Sequence, residues 1–318
     1  SDALIHIAGV NRGTDAEIVE GNVRIAQQVA QALDRSTKPP KVIAFANSIQ
    51  HGNGTAYGDS KAHASEVISK AAQRVGSFYR DLRLPNLFGE HGRPNYNSVT
   101  ATFTYLLATG GTPKVEIDRE LTLLHAQDAA DLLLGFRDAD AIFSLARRAS
   151  VSEVLSRLSR ISREYADGTI PDITERFDRD LFNTYRSVIQ RDRARIVLAR
   201  HEDHRGGFVE IVKAKGGQGQ ASYSTTLPGV VRGQHFHRRK IERFTVLEGD
   251  AVISMRRLFT PEVVDFHVDG KKPTSIDMPT GWAHSITNVG EKALLTHFWS
   301  NEIFDPSNPD TYAEAVHR

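Results

Sequence analysis

Three histidines and one glutamate in the second half of the 318-residue chain have the types and spacing of a metal site. His235 and His237 lie two residues apart in Gly229-Val-Val-Arg-Gly-Gln-His235-Phe-His237-Arg-Arg-Lys-Ile-Glu242. On a strand, side chains two apart point to the same side. Glu242 can return to that side after a short turn. Pro279-Thr-Gly281-Trp-Ala-His284-Ser-Ile-Thr-Asn288 supplies another imidazole on a strand. Three imidazoles and a carboxylate converging in this way make an open site for a divalent first-row ion, with positions left for water or substrate. Zinc, nickel, iron and manganese all suit these ligands, and zinc is the expected ion. The chain has no Cys, which rules out disulfides, thiolate metal sites and thiol catalysis. His267, His297 and His317 stand alone in the pattern and are not expected to be ligands.

A second constellation lies in the first half. Tyr57-Gly-Asp-Ser-Lys61 sets a phenol and an ammonium four apart at a helix start, on one face. The ammonium and the helix N-terminus both favour the phenolate, so a lowered Tyr57 pKa is expected. Tyr57 would then give its proton to a ketone that is being reduced by hydride. Ser48, at the end of the preceding strand, can hydrogen-bond the same carbonyl oxygen. Ala8 and Gly9, with Asn11, close an earlier strand where a backbone turn would meet a cofactor.

The elements that position these residues differ between the halves. Leu4–Ala8 and Lys41–Ala46 read as buried strands, and Thr14–Leu33 has helical spacing. A long helix is expected from Gly58 to about Leu82, then an extended run over Asp81–Leu87. Further helices are expected at Asn97–Thr109, Ala126–Phe136 and Ser150–Ala166. This alternation implies a parallel sheet covered by helices. From Phe208 onward, short apolar or period-two runs are separated by Gly turns, the pattern of a sandwich or barrel. Lys and Arg number 40 against 39 Asp and Glu, a net charge of +1, which argues against a nucleic-acid binder. No apolar run reaches the ~18 residues of a membrane span, and the first residues do not form a signal peptide, so no membrane partner and a cytoplasmic location are expected.

Both halves resemble known families. The two metal motifs match the cupin signatures G-x5-H-x-H-x4-E-x6-G and P-x-G-x2-H-x3-N, with Pro273 where a Gly usually precedes the second. Asp203-His-Arg205-Gly-Gly-Phe208-Val-Glu210 and Arg232-Gly-Gln-His235-Phe are similar to D-x-R-G-x-F-x-E and R-G-x-H-F of the deoxysugar 3,5-epimerases. That resemblance implies substrate binding by Arg205, Phe208, Glu210 and Arg232, with Phe208 and Glu210 near a partner subunit. In that family the residue matching His235 is a base that works without metal. Here His237 stands where Gln is usual, so His235 is open between ligand and base, with ligand favoured. Ser48, Tyr57 and Lys61 match the triad of the extended short-chain dehydrogenase/reductases. Asn86 and the stretch Asn95–Val99, including Asn97, match that family's cofactor- and substrate-contacting region. The family's G-x-x-G-x-x-G turn does not occur in the sequence. On this reading the first strands and helices of the nucleotide half, on the order of 50 residues, are absent: either they lie upstream of Ser1 or the protein has lost its cofactor cradle.

The pairing of the two halves resembles the bifunctional capsular-polysaccharide enzymes of the CapF type. It implies an incomplete α/β Rossmann-type parallel sheet over 1–190, followed by an all-β cupin (jelly-roll) barrel over 191–318. The implied substrate is a UDP-linked 4-keto-6-deoxy-N-acetylhexosamine. The cupin would epimerise C3, and the reductase would then reduce C4 with NADPH. That would give UDP-N-acetyl-6-deoxytalosamine for a surface polysaccharide. A homodimer is expected. Two other readings stand beside it: a cupin epimerase with a non-catalytic first domain, and a metal-containing sugar-binding module without catalysis.

Overall fold

A computed structural model describes residues 2–189, 194–204 and 206–317. The expected boundary at 190/191 lies outside the described residues. The chain gathers into two compact units, Ser1–Leu87 with Glu120–Ala149, and Phe88–Arg119 with Ser150–Arg318.

In the first unit, β1 (Ala3–His6), α1 (Asp15–Asp34), β2 (Val42–Ser48), α2 (Ala56–Arg74) and β3 (Phe78–Leu84) alternate. The strands pair in parallel in the order β1-β2-β3. Apolar side chains spaced along α1 and α2 (Ala26, Ala30, Leu33, Ala64, Ile68, Ala71) pack with Ile43 and Phe45 of β2. Leu82 and Leu84 of β3 pack instead with Leu124, Ala129 and Leu132, so buried residues cover the sheet from both sides. Thr14 caps α1 in a reciprocal box with Glu17, which satisfies two otherwise free donors of the first turn.

The helix expected to run to Leu82 stops at Arg74. Val75 and Phe78 continue the apolar period, but Gly76 adopts φ +72°, a left-handed turn that ends the helix and lets β3 start. Next come β4 (Asn86–Phe88), α3 (Val99–Ala108), β5 (Glu120–His125), α4 (Ala126–Leu134), α5 (Ile142–Leu145), β6 (Arg147–Ser150), α6 (Val151–Tyr165) and α7 (Arg176–Arg186). Strands β4, β5 and β6 form a second three-stranded sheet.

The rest of the second unit is all strand. Its elements are β7 (Arg195–Val197), β8 (Arg200–Asp203), β9 (Gly206–Val209), β10 (Gln220–Thr226), β11 (Val231–Phe236), β12 (Glu242–Glu248), β13 (Asp250–Arg257), β14 (Val263–Asp269), β15 (Thr274–Met278), β16 (Trp282–Asn288), β17 (Leu294–Ser300) and β18 (Tyr312–Ala313). Two five-stranded sheets form, ordered β10-β17-β12-β15-β7 and β14-β13-β16-β11-β18. Inward residues of both sheets, among them Phe244, Val246, Ile276, Ile253, Phe266 and Ile286, make one apolar core.

Candidate functional site

In the second unit His235, His237, Glu242 and His284 converge, their ligand atoms all within 4.8 Å of one another. It is the one such group of His and acidic residues among the described residues. The four come from three strands and a turn. His235 lies on β11, His237 just beyond it, Glu242 opens β12 and His284 lies on β16. β11 is not a regular strand at this point. Its pairing with β16 shifts register between Gly233 and His235, and Gly233 and Gln234 take φ +95° and +62°. A Cβ at Gly233 would come within 2.7 Å of the His284 carbonyl oxygen, so only glycine lets the two strands approach here.

Hydrogen bonds settle two of the tautomers. His237 Nδ1 lies 2.6 Å from the Asp310 carbonyl oxygen, and His284 Nδ1 lies 3.2 Å from that of Trp282. A carbonyl only accepts, so each Nδ1 carries a proton, and when the ring is neutral its Nε2 presents a lone pair. Both Nε2 atoms face one carboxylate oxygen: Glu242 Oε2 is 2.9 Å from His237 Nε2 and 3.4 Å from His284 Nε2. Both Nε2 atoms are buried without a well-formed hydrogen bond. Acceptors turned toward one another in a buried cluster fit a cation. Burial pushes the Glu242 carboxyl up, but hydrogen bonds and positive charge from His237 and His284, when those rings carry a second proton, outweigh it and hold it well below the usual range. Burial, with His284 and His237 beside it, lowers His235 to about 4, so that ring is neutral at pH 7.

The epimerase-like positions lie apart from this cluster in their contacts. Arg232 donates to Thr226 Oγ1 at 2.9 Å and to the Thr225 carbonyl at 3.0 Å. Phe208 is exposed on the β8–β9 hairpin, and Glu210 pairs with Lys213 at 3.1 Å. Arg205 lies outside the described residues.

In the first unit Ser48 ends β2, and Tyr57 and Lys61 stand one turn apart at the start of α2. Thr55 caps this helix through the Gly58 N–H, which fixes where the turn carrying Tyr57 begins. Lys61 is buried, and its Nζ donates to the Ala46 carbonyl at 2.7 Å and lies 4.0 Å above the Phe45 ring. Burial lowers Lys61 to about 8, and the nearby Asp81 carboxylate opposes that fall. The expectation for Tyr57 is corrected: its pKa is raised, because burial of the phenol outweighs the hydrogen bond with Ser48. Tyr57 is therefore held protonated, as a donor.

Ala8, Gly9 and Asn11 form an exposed loop past the carboxyl end of β1, the edge at which open α/β sheets bind ligands. A residue that the sequence reading missed ties this loop to α2, at Ser60 beside Lys61. Asn22 of α1 accepts from Val10 N at 2.9 Å, and its amide donates to the Val10 carbonyl at 2.8 Å and to Ser60 Oγ at 3.1 Å. The signal was a buried Asn on the apolar side of α1. Asn86 is exposed, with its amide on the Thr122 carbonyl at 3.1 Å, and Asn97 is exposed before α3 in the second unit. No G-x-x-G-x-x-G turn occurs in the sequence.

Known proteins bear on both units. A UDP-2-acetamido-2,6-beta-L-arabino-hexul-4-ose reductase of Pseudomonas aeruginosa is 32% identical over 99% of this chain and 86% of its own length. This chain belongs to the CapF-type family. The capsular polysaccharide assembling protein CapF of Staphylococcus aureus has a similar structure, with a TM-score of 0.57 and 33% identity over 99% of this chain and 88% of that one. Residues 201–312 match the family described as polysaccharide biosynthesis C-terminal domain. The spore coat polysaccharide biosynthesis protein SpsL of Bacillus subtilis is 29% identical over 36% of this CapF-type chain and 81% of its own length. No helix among the described residues is long and apolar enough to cross a membrane.

Proposed function

We propose that this chain is a bifunctional nucleotide-sugar enzyme. On this reading, a Rossmann-type reductase unit accompanies a cupin barrel. The barrel epimerises C3 of a UDP-linked 4-keto-6-deoxy-N-acetylhexosamine, and the reductase unit then reduces C4 with NADPH. The product is UDP-N-acetyl-6-deoxytalosamine for capsular or other surface polysaccharide. Epimerisation comes first because it needs the C4 ketone that reduction removes. The same reading expects a homodimer in the cytoplasm. The observation that carries it is the convergence of His235, His237, Glu242 and His284 in one unit of a CapF-type chain whose other unit holds Ser48, Tyr57 and Lys61.

In the barrel, His235, His237, Glu242 and His284 would hold a divalent ion, zinc by preference. Such an ion supplies Lewis acidity, which polarises a ketone and acidifies the neighbouring C–H. Burial and the Nδ1–H hydrogen bonds of His237 and His284 keep the ligand set in place. A second reading gives His235 the role of base. It is supported by the partial exposure of that ring and by its neutrality at pH 7. In the reductase unit NADPH supplies the hydride. The protonated Tyr57 gives its proton to the C4 oxygen, Ser48 hydrogen-bonds that oxygen, and the Lys61 ammonium stabilises the phenolate left behind.

A coupled experiment tests the proposal: NADPH oxidation and solvent deuterium entry at C3, followed with the UDP-4-keto sugar. Exchange without oxidation would leave the epimerase alone. Neither signal would leave a sugar-binding module.

A further inference from the structure

We propose that the C-terminal segment around Asp310 is the outer shell of the His235/His237/Glu242/His284 cluster, with Asp310 the positioning residue that sets the ring of His237. The inference rests on the metal reading above. Asp310 is buried, and it grips the cluster at two points. Its backbone carbonyl accepts from His237 Nδ1 at 2.6 Å, which turns the Nε2 lone pair toward Glu242. Its carboxylate accepts from the backbone N–H groups of Arg238 at 3.2 Å, Arg239 at 2.9 Å and Lys240 at 2.8 Å. Those three residues begin the turn between the ligands His237 and Glu242. One residue thus orients a ligand ring and fixes the backbone that separates it from the next ligand.

The segment itself is held along the same strand. β18 pairs with β11 at Ala313 opposite His235 and at Tyr312 opposite Phe236. Glu314 N donates to the Gln234 carbonyl at 2.9 Å, and Val316 N donates to Gln234 Oε1 at 2.8 Å. Arg256, itself buried, donates to the Val316 carbonyl at 2.8 Å and the Ala315 carbonyl at 2.7 Å. Asp310 adopts φ +46°, a left-handed conformation that Asp and Asn tolerate better than other non-glycine residues. Ligating imidazoles need a partner on the other ring nitrogen to fix tautomer and direction, and Asp310 is that partner for His237.

The test compares wild type with Asp310→Asn, which keeps the backbone conformation and loses one carboxylate acceptor. Zinc affinity is measured by competition with a chelator, and thermal unfolding is measured on the metal-free proteins. A positioning role predicts zinc binding weakened by about 10–100-fold. Unchanged affinity with a lower melting temperature would overturn it, because a plain structural staple behaves that way. Independently of any variant, 15N spectra of ring-labelled wild type should show His237 with its proton on Nδ1, and a proton on Nε2 alone would overturn the proposal. Wild type that binds no zinc would sink the metal reading itself, an outcome distinct from wild type and variant binding alike.

Discussion

Glu242 Oε2 and His237 Nε2 lie 2.9 Å apart with the His237 proton already committed to the other side of its ring. When that imidazole is neutral, its lone pair and the carboxylate repel unless positive charge sits between them. On the proposed reading a bound cation supplies that charge. Glu242→Gln and His237→Gln should each lose metal more severely than the about 10–100-fold expected for outer-shell partners. Metal content after dialysis against a chelator checks this, and full metal retention in His237→Gln would contradict the ligand assignment.

On the proposed mechanism Tyr57→Phe removes the proton donor and leaves the barrel intact. NADPH oxidation should fall by about 10²–10⁴-fold, while deuterium exchange at C3 continues at the wild-type rate. Parallel loss of both activities would show that the two sites had been wrongly separated.

On the proposed mechanism Lys61 carries the pH dependence of reduction. Its folded pKa is depressed to about 8, so the ammonium is present below that pH and is lost as pH rises through it. The reduction rate should therefore fall on the alkaline side of about pH 8. Phe45 lies opposite Asp81 in the strand pairing, with Lys61 above its ring, and Asp81 is the charge that holds the Lys61 value up. Asp81→Asn should move the alkaline limb to lower pH. His6, lowered by burial and by Lys61, is neutral across this range and adds no opposing step. A pH profile of kcat for both proteins checks the direction.

The barrel has a buried ion pair that the chemistry does not use. Arg243 Nε lies 2.6 Å from Asp277 Oδ1, both side chains are nearly inaccessible, and Tyr165 of α6 also donates to Asp277. Burial raises the Asp277 carboxyl, and Arg243 outweighs it, so the net direction is down. The pair's contribution is present above the ordinary Asp pKa and is lost as pH falls through the depressed one. Asp277→Ala strands the Arg243 charge and should cost about 3–5 kcal/mol, read by chemical denaturation at pH 7.

The cluster was legible because strand spacing and residue type coincide at His235, His237, Glu242 and His284. The irregular backbone that brings them together was not, since a bulge at Gly233 leaves no periodic trace. Asp310 acts from 73 positions beyond His237, and no local pattern links the two. In the first unit the alternation of strands and helices was visible, although α2 was read too long because the apolar period ran on past Gly76. Helix α7 went unread, although Phe177, Leu181, Phe182 and Tyr185 share its buried side, because charged residues interleave them. The direction of the Tyr57 pKa depended on burial, which spacing along the chain does not reveal.

The most direct test of the central claim is one reaction, run in deuterated water with the UDP-4-keto-6-deoxy-N-acetylhexosamine and NADPH. Two enzymes on one chain predict a product that carries deuterium at C3, is reduced at C4, and forms with one NADPH oxidised per sugar. A reduced product without deuterium at C3, or no oxidation of NADPH at all, would contradict the account.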